Sequence, residues 1–250
     1  MKFLVLIIIF SSTIFAGNAG NNANIESRYL IDMPTAGVIE KKALSIYSNA
    51  YSEGGLLLEF NFGLLTNLNL ALSYSASNVI GDGSFSGPEY PSVNFKYRVS
   101  NEVENFPAIA IGISTQGRGV WDKTEKRFQT YSPGFYIASS KNFIWALGNL
   151  ALHGGINYSF EPVNKNKSPN VYFGFEQSLG SSLSLVLETN ATLDDQRSEI
   201  NKKVGLLNSS FRWSISEKFT IELQVRDMLN TQDNVKDFTR VITFEYISTF

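Results

Sequence analysis

The chain has 250 residues, with 18% charged, 43% hydrophobic and 13% aromatic residues and a formal net charge of −2. The charged fraction is below the roughly 25% of ordinary soluble domains. It suits a membrane barrel, in which half of each strand faces lipid and half faces a polar lumen. The near balance of charge gives no sign of nucleic-acid binding. The lack of cysteine excludes disulfides, a thiolate metal site, a cysteine nucleophile and a lipid-modified amino-terminal cysteine.

Residues 1–19 have the pattern of a secretory signal peptide. Lys2 is followed by the apolar run Phe3–Phe10 and then by small residues that include Ala16 and Ala19. The run is shorter than the ~20 residues that a membrane helix needs, and small residues after it are typical of a cleavage site. We expect cleavage after Ala19, with Ala16 as the alternative site and an uncleaved anchor as the alternative reading. The protein is therefore predicted to be exported.

Residues 20–42 begin with several asparagines and contain Pro34 and Gly37, which interrupt regular elements. We predict that this segment is either a periplasmic lead-in or a piece of chain that enters the barrel.

Residues 43–250 alternate apolar and polar side chains in segments of about ten residues, which predicts antiparallel strands. About twelve segments fit, an even number, as expected of single-chain bacterial barrels. The fold class is therefore all-β, a single antiparallel transmembrane β-barrel that follows a cleaved signal peptide. The predicted strands are Ala43–Tyr51, Gly55–Gly63, Leu68–Ser77, Ser92–Ser100, Ala108–Gln116, Gly134–Ser140, Asn149–Phe160, Asn170–Leu179, Leu183–Ala191, Val204–Ile215, Phe219–Asp227 and Thr239–Thr249.

The connections between predicted strands alternate in length. Tight turns are predicted at Leu65–Asn67, Gly180–Ser182 and Ser216–Lys218. Long polar stretches lie between them, with the short loop Ser52–Gly54 as the exception. The long stretches are Asn78–Pro91, Gly117–Tyr131, Glu161–Pro169, Thr192–Lys203 and Met228–Lys236. This asymmetry is typical of outer-membrane barrels, with short periplasmic turns and long outer loops.

The charged residues of the predicted strands collect on one face, opposite the aliphatic and aromatic residues. That face is predicted to line the lumen, because a Lys or Arg facing lipid at mid-bilayer costs roughly 2–4 kcal/mol. We expect these side chains to pair across a narrow lumen and close it, with an open pore whose selectivity they set as the alternative. The predicted lumen residues are Glu59, Lys96, Arg98, His153, Glu176, Glu188, Arg212, Glu222, Arg226 and Glu245.

The final strand resembles the terminal strand by which the barrel-insertion machinery recognises outer-membrane barrels. Ile242, Phe244, Tyr246 and Phe250 share one face, and the last residue is aromatic, although Ser248 stands where an apolar residue is commoner. These residues are the predicted insertion signal. The implied partners are that machinery, outer-membrane lipid and lipopolysaccharide.

The stretch Leu30-Ile-Asp-Met-Pro-Thr-Ala-Gly-Val38 resembles the opening of YjbH-like outer-membrane barrel proteins, which carry a similar "G-L-I, two residues, P-T-A" run. Here Tyr29 replaces the usual glycine. Segments around Ser132–Tyr136, Ser140–Asn142 and Gly148–Ser159 look like a block from the same barrels. The resemblance implies an outer-membrane barrel, in some members associated with exopolysaccharide export. It implies no catalytic residues, and polysaccharide-export components become candidate partners.

His153 is the single histidine, and its strand pattern places it in the lumen with Asn157 and Ser159. An imidazole among hydroxyls suggests, as an alternative, an outer-membrane lipase or deacylase, which would need a serine nucleophile and an orienting acid within reach. The run H-G-G-I-N-Y-S matches neither family. A hydrogen-bonding lumen residue beside packing glycines is favoured.

Three other features have simpler interpretations than the chemistry they suggest. Asp194-Asp195 is taken as part of a solvated loop rather than as a protease acid pair. Gly81-Asp-Gly83 with Gly87 opens no helix, so it predicts a hairpin loop rather than a phosphate site. In Gly117–Tyr131, aromatic and basic residues suggest contact with anionic sugar, but a solvated outer loop is favoured. The residues concerned there are Arg118, Trp121, Lys123, Lys126 and Arg127.

These observations favour a non-enzymatic, monomeric outer-membrane barrel with no cofactor and no metal. The expected role is envelope transport or association with surface polysaccharide, as a narrow pore or a structural barrel. A hydrolase centred on His153 and a surface adhesin or structural protein are the alternatives.

Overall fold

The computed structural model describes residues 15–16, 26–161, 168–195, 205–231 and 239–250. Most of the predicted signal peptide and parts of three predicted long loops lie outside these ranges. Twelve long strands run from Ala43 to Thr249, labelled β1 to β12. They are β1 Ala43–Tyr51, β2 Gly55–Leu65, β3 Leu68–Ala76, β4 Ser92–Ser100, β5 Ala108–Ser114, β6 Gly134–Trp145, β7 Gly148–Tyr158, β8 Asn170–Leu179, β9 Leu183–Asn190, β10 Leu206–Ser214, β11 Phe219–Arg226 and β12 Thr239–Thr249.

The twelve strands form one closed antiparallel barrel, as the alternation predicted. Each strand pairs with its neighbours in sequence, and β12 returns to β1 from Thr249 opposite Ala43 to Ile242 opposite Ala50. Closure is required in hydrocarbon, because an open sheet edge would leave backbone N–H and C=O groups without hydrogen-bond partners. A further two-residue strand, Phe15–Ala16, pairs with the end of β6.

The strand boundaries agree with the prediction within a few residues, except at β6. This strand continues to Trp145, five residues beyond the predicted end at Ser140. Lys141 breaks the apolar alternation there, and its Nζ lies 3.4 Å from Glu102 in the β4–β5 connection. Because that carboxylate neutralises the lysine, the strand continues through a position that sequence pattern alone marks as an ending.

The two ends of the barrel differ as predicted. One end, called here the short-turn end, carries the tight connections of β2–β3, β6–β7, β8–β9 and β10–β11. The other, the long-loop end, carries the connections of β3–β4, β5–β6, β7–β8, β9–β10 and β11–β12, together with the short β1–β2 turn. The β5–β6 connection contains a small hairpin, Arg118–Asp122 paired with Arg127–Thr130, called here the outer hairpin.

The outer surface of the barrel is an apolar band. Side chains such as Phe60, Phe95 and Phe173 are exposed on it, while their neighbours along each strand are buried in the lumen. Trp145 and Trp213 lie at the short-turn ends of their strands and are exposed. Aromatic residues at the rim of an apolar band are typical of membrane barrels, whose aromatic girdles sit at the lipid headgroups. No helix within the described ranges is long and apolar enough to cross a membrane.

The apolar band predicts the effect of a charge placed on it. Leu223 is at the middle of β11, 55% exposed, between Phe211 of β10 and Ile242 of β12. We expect Leu223→Arg to lower the free energy of unfolding in lipid vesicles by about 2–4 kcal/mol. Urea titration of folded protein in vesicles measures this, with Leu223→Phe as the apolar control. A loss below about 0.5 kcal/mol, the size of a surface substitution, would contradict a lipid-facing position.

Candidate functional site

The lumen is occupied by the chain's own residues 26–42, called here the plug. The plug enters and leaves at the short-turn end: Glu26 pairs with Arg98 near the end of β4, and Lys42 hydrogen-bonds Gly63 of β2. Between these points the chain reverses in a tight turn. The N–H of Leu30 donates to the carbonyl of Met33 at 2.9 Å, and that of Thr35 to the carbonyl of Arg28 at 3.0 Å. The segment is therefore a loop inserted from one end, not a strand threaded through the barrel.

The tip of the plug is held by one buried carboxylate. Glu188 of β9 is fully buried, and its Oε2 accepts the backbone N–H groups of Ile31, Asp32 and Met33 at 3.0, 2.9 and 2.9 Å. Its Oε1 accepts the side-chain amide of Asn208 at 2.9 Å. Three successive N–H groups directed at one anion form a concave anion site of the kind that backbone turns provide.

The Asp32 side chain extends the attachment to the next strands of the wall. Its Oδ1 lies 2.9 Å from Nε of Arg226 on β11, and its Oδ2 accepts the Asn208 amide at 3.2 Å. On the other side of the plug tip, the Tyr172 hydroxyl of β8 donates to the carbonyl of Pro34 at 2.8 Å. The turn is thus fixed by four neighbouring strands of the barrel, β8 to β11.

The base of the plug is fixed by charged side chains. Arg212 of β10 donates to the carbonyl of Leu30 at 2.8 Å and to Glu176 of β8 at 2.7 Å, and Glu176 also accepts the Ser27 hydroxyl at 2.7 Å. On the opposite wall, Lys96 of β4 donates to the carbonyls of Arg28 and Gly37 at 2.9 and 3.1 Å. These bonds satisfy plug carbonyls that water cannot reach.

Tyr29 links the plug to β2 and β4. Its hydroxyl donates to Glu59, with the two carboxylate oxygens at 3.0 and 3.2 Å, and accepts the side-chain amide of Asn94 at 2.7 Å. The neighbouring Arg28 pairs with Glu245 of β12.

Most of the predicted lumen residues contact the plug. Glu59, Lys96, Arg98, Glu176, Glu188, Arg212, Arg226 and Glu245 each bond or pair with it directly. Glu222 reaches it through Arg212, at 3.2 Å, and His153 through Ser140, whose Oγ accepts the N–H of Ala36 at 3.0 Å. The expected pairing of these charges with one another holds for Arg212, which pairs with Glu176 and Glu222. Arg98, Arg226 and Glu245 instead pair with charged residues of the plug. Sequence pattern shows which wall residues face inward but not that a separate segment supplies their partners.

The plug makes two small apolar contacts with the wall. One buried cluster joins Leu30, Ile31 and Met33 to Tyr172 and Val186, and a second joins Ala36 to Ala108 and Ala110. Gly174 of β8 makes room for the first cluster, because a Cβ at this position would lie 2.8 Å from a methyl group of Leu30. Polar contacts therefore dominate the attachment.

The outer hairpin closes the long-loop end, which corrects the prediction of a solvated loop at Gly117–Tyr131. Phe128, Arg118 and Arg127 are buried. The Arg118 guanidinium lies 4.8 Å from the ring centre of Tyr29 and 5.6 Å from that of Tyr47, so the hairpin touches the plug through cation–π contacts. The cationic residues suggested for sugar contact are thus turned inward, apart from the exposed Lys123 and Lys126.

Neighbouring loops hold the outer hairpin down. Glu161, after β7, accepts the backbone N–H groups of Phe128 and Ser132 at 2.9 and 3.0 Å. Arg127 pairs with Glu125 and lies 3.9 Å from Asp195. Asp194, expected to be solvated, is buried, and it lines a small cavity with Gln129 and Tyr131 of the hairpin region.

Burial changes the protonation of these loop acids. Burial, helped by the nearby carboxylates of Asp195 and Glu161 and opposed by a backbone hydrogen bond, raises the pKa of Asp194 to about 6. Burial also raises the pKa of Glu161, although the Ser132 and Phe128 hydrogen bonds and Arg127 oppose the shift. The docked hairpin therefore favours protonated acids at this end.

Of the hydrolase geometry considered for His153, the structure contains the serine–histidine contact but not the orienting acid. Ser140 Oγ lies 2.8 Å from His153 Nδ1. The orienting acid of a hydrolase would have to bond the imidazole, but the carboxylate oxygens of Glu176 accept hydrogen bonds from Ser184, Ser27 and Arg212 instead. A Ser–His pair without an acid on the imidazole lacks the orienting group that such hydrolases use. In the described ranges no cluster of His, Asp or Glu side chains forms a candidate metal site.

Comparison with known proteins gives similarity of fold at low sequence identity. No family model and no curated protein sequence matches the chain. A structure of the NanC porin matches 83% of this chain and 99% of its own, with 11% identity and a TM-score of 0.42. The outer membrane protein Omp33 of Acinetobacter baumannii matches 83% of this chain and 97% of its own, with 9% identity and a TM-score of 0.43. At these values, neither likeness indicates what this chain binds.

The class of protein follows from the chain's own geometry. A closed twelve-stranded barrel with an apolar outer band, an aromatic rim and a polar, filled interior is a transmembrane β-barrel of the outer-membrane type.

The raised pKa of Asp194 predicts that the outer hairpin docks more firmly in mild acid. Because docking raises this pKa from its ordinary 3.8 to about 6, the docked state binds the proton more tightly than the open state. Docking should therefore be strongest in acid and weaken as the pH rises through about 6. We expect the hydrogen-exchange protection factor of the Phe128 amide to be about tenfold higher at pH 5 than at pH 7.5.

Asp194→Asn should abolish most of this difference, and Asp82→Asn, in the exposed β3–β4 loop, should leave it intact. Equal protection at both pH values in the unaltered protein would contradict the account.

Proposed function

We propose that this protein is a non-enzymatic outer-membrane channel that is closed at rest by its own plug and conducts when the plug withdraws. The observation that carries the proposal is the plug itself: residues 26–42 fill the lumen as a loop whose two ends lie at the same end of the barrel. Such a loop can leave without being pulled past the opposite rim. A segment threaded from end to end would have no such path.

The chemistry of the attachment supports a reversible plug. Ion pairs and hydrogen bonds to the wall exchange for bonds to water when the plug leaves, so their net contribution is modest, roughly 0.5–1.5 kcal/mol for each ordinary bond. A large apolar interface would resist hydration far more strongly. The apolar clusters around Leu30 and around Ala36 are small, and the contacts of Glu188, Lys96 and Asp32 are polar.

The location and partners are part of the same proposal. The apolar band and aromatic rim support insertion in the outer membrane as a monomer, after removal of the signal peptide. Ile242, Phe244, Tyr246 and Phe250 on the last strand are the insertion signal that the barrel-insertion machinery would read, and the outer loops would meet lipopolysaccharide.

The resemblance to YjbH-like proteins lies in the plug. Leu30–Val38, the stretch that carries it, is the part of the chain that closes the lumen. A role in envelope transport, with surface polysaccharide or its export components as partners, is consistent with such a gate. The outer hairpin, which contacts Tyr29 of the plug through Arg118, would then open together with the plug.

Conductance in planar bilayers tests the proposal. We expect the unaltered protein to be almost silent, and Glu188→Ala to increase the open fraction about a hundredfold. The alanine leaves three plug amides without an acceptor, at about 1 kcal/mol or more each, and about 3 kcal/mol corresponds to this factor.

Asn190→Ala is the matched control. Asn190 lies two positions further along β9 and is also buried in the lumen, but it bonds Asn170 and the backbone of Thr192 rather than the plug. We expect it to remain silent. Stable large steps from the unaltered protein would contradict the plug, and a correctly folded but silent Glu188→Ala would favour a structural barrel or adhesin.

A further inference from the structure

The plug leaves one large space unfilled at the short-turn end. A cavity of about 470 Å³ lies between the base of the plug and the turns β8–β9 and β10–β11. Its size falls in the range of about 300–1,000 Å³ that is usual for small-molecule sites. It is separate from the plug tip and from the outer hairpin.

The wall of this cavity is rich in hydroxyl groups. Eight of its nineteen lining residues are serines, from both turns, the plug and strands β6, β8, β9 and β10. Two asparagines add amide donors and acceptors, and the apolar contribution is limited to Ala151, Leu183 and Ile215. Groups that both donate and accept hydrogen bonds match a ligand covered with hydroxyls. They do not match a lipid chain.

The charges of the wall exclude a strongly anionic ligand. Glu26, Glu176 and Glu217 line the cavity, whereas none of its described lining residues is a lysine or arginine. The charges of Glu26 and Glu176 are neutralised by ion pairs with Arg98 and Arg212, which do not line the cavity. An anion entering this space would meet carboxylates without a cation, so the wall favours a neutral molecule.

His153 contributes an imidazole nitrogen without a protein partner to this wall. Ser140 Oγ accepts the N–H of Ala36 and lies 2.8 Å from His153 Nδ1. Either the hydroxyl or Nδ1 can donate in this pair, so both neutral tautomers of the imidazole satisfy the hydrogen-bond network. The side chain is 6% exposed, and Nε2 has no protein partner. Buried polar atoms usually have a partner, and a ligand hydroxyl, which both donates and accepts, can pair with Nε2 in either tautomer.

We propose that the cavity is a binding site for a neutral, polyhydroxylated small molecule of the size of a mono- or disaccharide. The ligand enters from the short-turn end, which faces the periplasm. It exchanges hydrogen bonds with Glu176, the serine hydroxyls and His153. Ligand binding at this site does not require movement of the plug. A failure of the gating proposal would therefore leave the binding proposal intact.

Calorimetric titration of the folded barrel in detergent tests the site, with glucose, maltose, glucuronate and glucosamine as probes. We expect maltose or glucose to bind and glucuronate not to bind. Glucose, glucuronate and glucosamine share a ring and differ in charge, so they separate hydroxyl recognition from charge recognition. Binding of glucosamine alone would identify an amine site and overturn the proposal.

Two variants locate the binding. His153→Ala should weaken it about fivefold, the loss of about one hydrogen bond. Ser181→Trp, in the exposed β8–β9 turn, should block the mouth of the cavity without altering a buried group, so it remains informative if His153→Ala misfolds. Asn157→Ala, further along β7 and away from the cavity, should bind normally. Absence of saccharide binding, or equal binding by the unaltered protein and Ser181→Trp, would overturn the site.

Discussion

The rest of the structure depends on the need to pair every polar group that the barrel removes from water. In hydrocarbon the backbone can only bond to itself, so twelve strands close on one another and charged side chains must turn inward. Inside, those charges face a second problem, because a buried charge without a partner is costly. The plug supplies the partners of these charges: backbone N–H groups for Glu188, backbone carbonyls for Lys96 and Arg212, and a carboxylate for Arg226.

The same pairing explains why the interior is closed by a polar loop rather than by apolar packing. Many inward positions of the wall are polar or charged, among them Asn49, Glu59 and Glu188, and a segment with matching polar groups fits against them. Gly63 of β2 shows how closely it fits: a Cβ there would lie 1.9 Å from the carbonyl oxygen of Glu40 in the plug. The outer hairpin extends the principle, because the Arg118 guanidinium packs on the rings of Tyr29 and Tyr47.

The fold could be predicted from the sequence because a strand's period of two is a strong local signal, and it placed Leu223 and Phe95 outside and Glu188 and Arg98 inside. The site could be predicted only in part. Glu188 was identifiable as a lumen residue, but its partners are main-chain amides around Asp32, and every residue carries such an amide. The inward fold of the outer hairpin was equally hidden, because Arg118 and Arg127 have the composition of a solvated loop. The cavity at His153 is the space that the plug leaves unfilled, and no local sequence pattern indicates where such a space lies.

The position of the plug in the membrane-inserted protein is the central claim, and a disulfide trap measures it most directly. Ala36 of the plug packs against Ala108 of β5, and the chain has no native cysteine. In the Ala36→Cys, Ala108→Cys variant, mild oxidation in vesicles should form the disulfide nearly completely and leave neither thiol reactive to a maleimide after unfolding. If oxidation fails and the cysteine at position 36 instead reacts with a bulky water-soluble maleimide in the folded barrel, residues 26–42 lie outside the lumen and the account of a plugged channel is wrong.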